Sequence, residues 1–207
     1  AQTIDSKTLK TELTDAGNES LALEGLARQQ GFDTSSAHTA YVDAHNSLKI
    51  LRIIKDKHKS NWENFLGTST KSSVESILKS KGIYSIFENV KGRNMMYLVS
   101  TLHPEHCFHP SYASWGYLWD LRRDPEPFLN MSVNELKGNL KKISPKALRV
   151  IKTNKAPVVL DKKFALKEKA YADLDLETIK KRAKLVRSSE NLCKNIQIIN
   201  REAAEEK

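Results

Sequence analysis

No stretch of this chain is apolar for long enough to cross a bilayer. Its densest cluster, "ILRII" at residues 50–54, falls far short of the roughly 20 apolar residues a spanning helix needs. The opening "AQTIDSKTLK" has no apolar run after it that would read as a leader. Cysteine is nearly absent. Cys107 and Cys193 are the only two, 86 positions apart, with no repeated spacing, which excludes a disulfide framework and fits a reducing compartment. Internal repeats and low-complexity linkers are missing too. These absences predict a soluble, cytoplasmic protein without a membrane partner. What is present is 207 residues, 39% of them apolar, enough to pack one large domain or two small ones.

The net charge of +9 is unevenly spread: residues 1–50 carry four Lys or Arg against seven Asp or Glu, whereas residues 137–187 carry sixteen against five. The first segment is thus near −3 and the last near +11. A basic half of that density suits a polyanion such as nucleic acid or an acidic peptide tail. A solvated lysine surface is the competing reading.

Residues 1–19 are polar and carry no clear period. In "SLALEGLARQQGF", Ser20 is a candidate cap for a short helix with Leu23, Leu26 and Ala27 on one face, and Gly31 supplies a left-handed stop. A second helix is expected from about Ser36 to Lys57, with Ala40, Ala44, Leu48 and Leu51 as its buried stripe. Two helices of this size cannot form a domain alone, so this part should dock on something else. From Gly82 the texture changes. "GIYSIFENV", "NMMYLVSTLHP", "SWGYLWDL" and "LRVIKTN" are short, aromatic or β-branched, and divided by turn residues, as in a small antiparallel barrel. Helical period returns after Lys167, with Leu176, Ile179, Ala183 and Val186, then Leu192, Ile196 and Ile199, and a break near Ser188 and Ser189.

The stretch "SSAHTAYVDAHNSLKILRIIKDKHK", residues 35–59, sets His38 five positions before Asp43. At about 100° per residue, that step inside a continuous helix would hold the two side chains about 140° apart. They share a site only if His38 lies in the turn that enters the helix, with Asp43 one turn in; Ser35 and Ser36 are plausible caps. A histidine and a carboxylate converging there can deprotonate a water and hold a divalent metal. By spacing alone the pattern is weak, and a surface histidine and a surface aspartate are the commoner explanation.

His38-x-Ala40-x-x-Asp43 resembles the third exonuclease motif of the proofreading-type 3′ to 5′ exonucleases, the DEDD superfamily with a histidine. The preceding "SLALEGLARQQGF" resembles the Ser-x-x-Leu-Glu-x-Leu helix and Gly that come before that motif in the bacterial exodeoxyribonuclease I family. "HPE" at 103–105 and "IKTNKAPVVL" at 151–160 are similar to stretches of that family's SH3-like domain. The resemblance implies an α+β fold: residues 1–58 are the C-terminal part of an RNase H-like exonuclease domain, and residues 59–204 an SH3-like domain with a helical extension. It also implies hydrolysis of single-stranded DNA from the 3′ end with two Mg2+ ions held by four acidic residues. Asp43 would be the last of those carboxylates and His38 the general base. The family's Asp-x-Glu and its middle aspartate should precede His38. Asp5-Ser6-Lys7 lacks the glutamate, while Asp124-Pro125-Glu126 and Asp175-Leu176-Glu177 have the spacing but lie downstream, in a turn and at a helix start. The expectation is therefore a piece of a longer exonuclease I polypeptide, inactive by itself. The alternative is a non-catalytic, single-stranded nucleic-acid-binding or adaptor module that keeps His38 and Asp43 by descent.

Three further groups draw notice. "LHPEHCFHP" holds His103, His106, Cys107 and His109, all metal-ligand types. Structural zinc sites usually pair two separated ligand pairs, and no second pair is present, so the expectation is a loop joining strands. Trp115, Tyr117 and Trp119 alternate along one strand face beside Arg122 and Arg123; such a row either stacks bases of a single strand or fills a barrel core. Lys180, Lys181, Arg182, Lys184 and Arg187 crowd one helix, and Lys155 sits in the family-like "IKTNKAPVVL" stretch. The resemblance implies two partners for the basic half: single-stranded DNA, and the acidic C-terminal tail of single-stranded DNA-binding protein. Trp115, Tyr117, Arg122, Arg123, Lys155, Lys181, Arg182 and Lys184 are the candidates for these contacts, on an expected monomer.

Overall fold

A computed structural model describes residues 8–80, 82–90 and 93–206. Asp5-Ser6-Lys7 lies outside the described residues. The chain divides into two compact units, Ala1–Phe65 with Glu88–Met95, and Leu66–Phe87 with Met96–Lys207.

In the first unit, β1 (Glu12–Leu13) and β2 (Glu19–Ser20) form a short antiparallel hairpin, and helix α1 spans Leu23–Gln29. Gly17, between the strands, takes φ +74°, where a glycine avoids the steric penalty of a Cβ. Helix α2 spans Ala40–Lys57. Leu9, Leu26 and Ile50 are buried together, and Leu23, Phe32, Ile53 and Ile54 pack against them.

Three expectations are corrected here. Ser20 belongs to β2 and does not cap α1, whose N-cap is Ala22 and has no side-chain cap. Helix α2 begins at Ala40, because residues 35–38 form turns instead of a first helical turn. Its buried stripe is Asn46 and Ile50, with Ile53 and Ile54 half-buried. Ala40 and Ala44 are exposed, as are Leu48 and Leu51 at 46% and 38%. The side that faces the first-unit core is thus roughly opposite the one the alanine and leucine spacing picks out. Gly31, at φ +75° directly after α1, is the left-handed stop that the sequence predicts.

The second unit is built on a five-stranded sheet. Helices α3 (Lys59–Gly67) and α4 (Lys71–Lys79) precede it in the chain, and Thr70 caps α4 by accepting the Ser73 N–H at 3.2 Å. Strands β3 (Ile83–Val90), β4 (Arg93–Thr101) and β5 (Trp115–Asp120) lead to helix α5 (Val133–Lys142), then β6 (Leu148–Lys152) and β7 (Val159–Asp161). The order across the sheet is β6-β5-β4-β3-β7, with β5 antiparallel to β4 and β6, and β7 antiparallel to β3. Helices α6 (Leu176–Ser188) and α7 (Glu190–Glu205) follow, broken at Ser189, which caps α7 by accepting the Leu192 N–H at 3.3 Å. Ile179, Ala183 and Val186 of α6 are buried, and so are Leu192 and Ile196 of α7; Leu176 is exposed. Helix and sheet in these proportions make the chain α+β.

One buried charge organises this unit. Asp120, at the end of β5, is fully buried and accepts from Arg122 Nη2 at 2.6 Å, Arg149 Nη2 at 3.2 Å and the Tyr171 hydroxyl at 3.0 Å. The Tyr171 hydroxyl in turn accepts the Leu98 backbone N–H at 2.8 Å. The Arg149 guanidinium lies 3.5 Å from the Tyr97 ring centroid. A carboxylate so deep is tolerated because it meets two cations and a hydroxyl donor. The network links β4, β5, β6 and the segment before α6.

Candidate functional site

His38 takes φ +70°, unusual for a residue with a Cβ. The turn folds its backbone back onto the start of α2, and the His38 N–H donates to Asp43 Oδ1 at 3.2 Å. The histidine lies outside the helix and the aspartate one turn in, but the contact runs through the His38 backbone rather than its imidazole. The imidazole is 83% exposed, and its Nε2 lies 3.4 Å from Glu24 Oε2 on α1. Arg28 bridges Glu24 at 2.5 Å and Glu12 of β1 at 3.0 Å. Glu12 runs beneath α1 where Gly25 leaves room, since a Cβ there would sit 2.8 Å from Glu12 Oε2. Glu24 therefore stands between a guanidinium and the histidine. Sequence reasoning does not single it out as a functional residue, although it lies one helical turn before Arg28 in the family-like "LEGLAR" helix.

Two carboxylates at this edge do not make a two-metal centre. Asp43 Oδ1 is engaged by a backbone N–H, and Glu24 is shared with Arg28. The described residues here do not fit a pair of Mg2+ ions without further acidic ligands. The two downstream Asp-x-Glu pairs have local tasks instead. Asp124 accepts the Glu126 N–H at 3.1 Å within its turn, and Asp175 caps α6 through the Thr178 N–H at 2.7 Å.

The second unit redistributes the candidate contact residues. Tyr117 is fully buried, so it has no face on which a base can stack, and its placement in a DNA surface is corrected to the sheet core. Trp119 is buried as well, its indole N–H donating to the Arg123 carbonyl at 2.9 Å. Arg122 is spent on Asp120; burial opposes its charge, but the Asp120 carboxylate outweighs burial and raises its pKa. Arg123 donates to the carbonyls of Ser144 and Pro145. Arg182 donates to the carbonyls of Leu121 and Arg122 at 2.8 and 3.0 Å. These three arginines hold chain segments together, and a phosphate would have to compete with those bonds. Lys155, Lys181 and Lys184 are exposed, with Lys181 3.0 Å from Glu126.

Trp115 differs from its strand neighbours in being half-buried. Tyr112 packs against it with ring centroids 4.8 Å apart, and Lys152, its cross-strand partner on β6, sets Nζ 5.2 Å from its ring centroid. The structure thus gathers an aromatic pair and a lysine at the β5–β6 edge. Nothing local in the sequence singles out Tyr112 and Lys152, which 40 positions divide; only the strand register brings Lys152 to Trp115.

Both cysteines are buried, which disfavours their thiolates. Burial pushes both thiols up to about 11, and Cys107 donates to the Pro104 carbonyl at 3.2 Å.

Residues 105–201 match the family model described as the exonuclease I SH3-like domain. The chain is 24% identical over 166 residues to exodeoxyribonuclease I of Haemophilus influenzae, an alignment covering 75% of this chain and 35% of that protein. Among solved structures, it is similar to exonuclease I of Methylocaldum szegediense, with a TM-score of 0.71 and 18% identity over 96% of this chain and 44% of that one. E. coli exonuclease I in complex with a 5cy-dT13 oligonucleotide gives 0.67 and 16% over the same shares. An exonuclease I complex with SSB-Ct gives 0.66 and 16%, again over 96% and 44%. The chain spans about a third of the length of the curated relative and under half of the solved ones.

Proposed function

We propose that this chain is part of a 3′ to 5′ exodeoxyribonuclease I that trims single-stranded DNA during repair in the cytoplasm. Residues 1–58 are the closing part of its exonuclease domain and residues 59–204 its SH3-like domain with the helical extension. The observation that carries this reading is the turn that brings the His38 backbone onto Asp43, in a chain similar to exodeoxyribonuclease I in sequence and fold. His38, exposed and free of the helix, takes the proton of the attacking water, and Glu24 holds its ring. Asp43 would supply one ligand of a Mg2+ pair whose other carboxylates lie elsewhere in the complete enzyme, and such a pair would stabilise the entering and leaving oxygens of a phosphodiester.

The exposed side of α2 supports the same reading. Tyr41, Leu48 and Leu51 stand in solvent at 78%, 46% and 38%, on the side that the sequence pattern marks as a packing stripe. The remainder of an exonuclease domain is its natural cover. Trp115 and the exposed Lys155, Lys181 and Lys184 form the single-strand and acidic-tail surfaces of the monomer.

Release of nucleotides from a 3′-labelled oligonucleotide tests the proposal. With Mg2+ this chain alone should leave the oligonucleotide intact, and joining it to the acidic-ligand segment of an exonuclease I should restore digestion. Metal-dependent digestion by the chain alone would refute the account of its missing ligands. Failure of the joined protein, if folded, would favour a binding module.

A further inference from the structure

The chain from β4 to β5 makes a 3-10 turn at Pro104–His106 with His103 as its cap. Three residues complete one 3-10 turn, so side chains at i and i+3 eclipse. His103 and His106 accordingly lie side by side, with ring centroids 5.5 Å apart and the planes tilted by 32°. Glu105 joins them: one ligand atom from each of His103, Glu105 and His106 lies within 4.8 Å of the others. Neighbouring donors of a tetrahedral zinc ion with Zn–N near 2.0–2.1 Å are about 3.3 Å apart, so modest side-chain rotation closes the gap.

The surroundings prepare His106 for such a role. Its Nδ1 lies 3.1 Å from Gln197 Oε1 on α7, while Gln197 Nε2 donates to the Phe108 carbonyl at 3.2 Å. The second bond fixes which way the amide points. The carbonyl oxygen therefore faces the ring, and in the neutral imidazole Nδ1 carries the proton and Nε2 the lone pair. That Nε2 is buried and has no hydrogen-bond partner among the described residues. A histidine whose far nitrogen donates to a fixed acceptor while the near one is unpartnered has the second-shell arrangement of a metal ligand. Glu190, at the start of α7, places Oε1 3.8 Å from the same Nε2; that oxygen also meets Lys194 Nζ at 2.6 Å, an exposed contact that a bound cation would displace. His103 keeps only a long contact, its Nδ1 accepting the Glu105 N–H at 3.4 Å, which yields readily to a metal.

The other two members of the sequence cluster are committed elsewhere. Cys107 is buried with a raised pKa. His109 is buried and its Nδ1 accepts the N–H groups of Ser111 and Tyr112 at 3.0 and 3.2 Å. In place of the second ligand pair usual in structural zinc sites, the turn offers its own carboxylate and one from across on α7.

We propose that His103, Glu105 and His106, with Glu190 as fourth donor, bind a single divalent cation of the zinc class. Two imidazoles and carboxylates favour Zn2+ over Mg2+, which prefers six oxygen ligands. The ion ties the β4–β5 connection to α7. It uses neither His38 nor Asp43 and does not depend on the nuclease reading.

Calorimetric titration of the whole chain with Zn2+, and the visible spectrum with Co2+, test this. One equivalent should bind and the cobalt bands should be those of a tetrahedral N/O site. His103→Gln and Glu105→Gln, both on an accessible turn, should abolish the one-equivalent uptake while leaving the circular dichroism unchanged. Gln197→Ala should weaken it roughly 10- to 100-fold, as loss of a second-shell partner does. Lack of uptake at tenth-millimolar Zn2+ would overturn the proposal. So would uptake unchanged in both His103→Gln and Glu105→Gln, which would place the ion on other histidines.

Discussion

The backbone N–H of His38 donates to Asp43 Oδ1 at 3.2 Å, across a turn in which His38 holds a left-handed backbone. The bond ties the two family-like residues together through the main chain, leaving the imidazole free to face Glu24. In a complete enzyme, Asp43→Asn should abolish turnover with little change in DNA binding, because it removes a metal ligand but keeps an acceptor for the His38 N–H. His38→Ala should slow turnover by roughly 10²- to 10⁴-fold, the usual scale for loss of a general base. Single-turnover rates on a 3′-labelled oligonucleotide decide both, and near-normal rates in either variant would remove the motif from the mechanism.

The Asp120 network predicts a large stability effect. Asp120→Asn keeps the shape but removes the buried counter-charge that Arg122 and Arg149 share. Breaking one side of a buried ion pair costs about 3–5 kcal/mol. Tyr171→Phe, which leaves the Leu98 N–H without its hydroxyl partner, should cost about 1–3 kcal/mol. Urea unfolding of the whole chain measures both, and the double variant should lose less than the sum because the residues share one network.

Tyr117 offers an opposite case. Its hydroxyl is buried without a hydrogen-bond partner among the described residues, and burial raises its pKa. Tyr117→Phe should therefore leave stability unchanged or raise it, since a buried unsatisfied polar group costs about 1–3 kcal/mol. DNA affinity should not change. A fall in affinity with unchanged stability would return Tyr117 to the binding surface.

How far the sequence could be read depended on whether a feature was local. The turn at His38 is legible once His38 and Asp43 are taken to share a site, since helix geometry then forces it, and Gly31 because a left-handed residue ends α1 there. The Ser188–Ser189 break was local as well, a cap that ends one helix and starts the next. Ser20 misled because a two-residue strand claims it before α1 begins. The stripe on α2 misled because the alanine and leucine side of the helix is the exposed one in this chain. Tyr117 and Trp115 lie on one strand face and read alike, yet only the sheet's end and its partner Lys152 decide which ring meets solvent. Glu24 and Gln197 were invisible, since each acquires its role from a residue on another element.

The helix caps predict the acid limb of stability. Hydrogen bonds from the Ser132 side chain, then its backbone, hold the Glu135 carboxyl below its usual range. The backbone N–H and then the hydroxyl of Thr178 do the same for Asp175. A carboxyl depressed in the folded state gives stability that is fully present above its unfolded pKa and is lost as pH falls through the folded value. Melting temperature should thus decline from about pH 4.5 downward, the range where unfolded carboxylates begin to protonate. Ser132→Ala should flatten part of that decline as well as lower the melting temperature at neutral pH.

The basic half carries the last prediction. Lys181 and Lys184 are exposed on α6, whereas Arg122, Arg123 and Arg182 are taken up by Asp120 and by backbone carbonyls. If this helix follows phosphates, affinity for single-stranded DNA should fall steeply with salt, with a slope of about −0.7 per phosphate neutralised. The pair Lys181→Glu and Lys184→Glu should weaken every oligonucleotide alike, since phosphate contacts carry little sequence information. Reversing the three arginines would instead unsettle the fold, so only the lysines separate binding from stability. A synthetic peptide with the acidic tail sequence of single-stranded DNA-binding protein distinguishes a second use. If the lysine reversals spare DNA and abolish the peptide, α6 is a docking site rather than a track. If neither ligand responds and the salt slope is flat, the basic excess serves solubility, and Trp115 with Tyr112 and Lys152 becomes the surface to test.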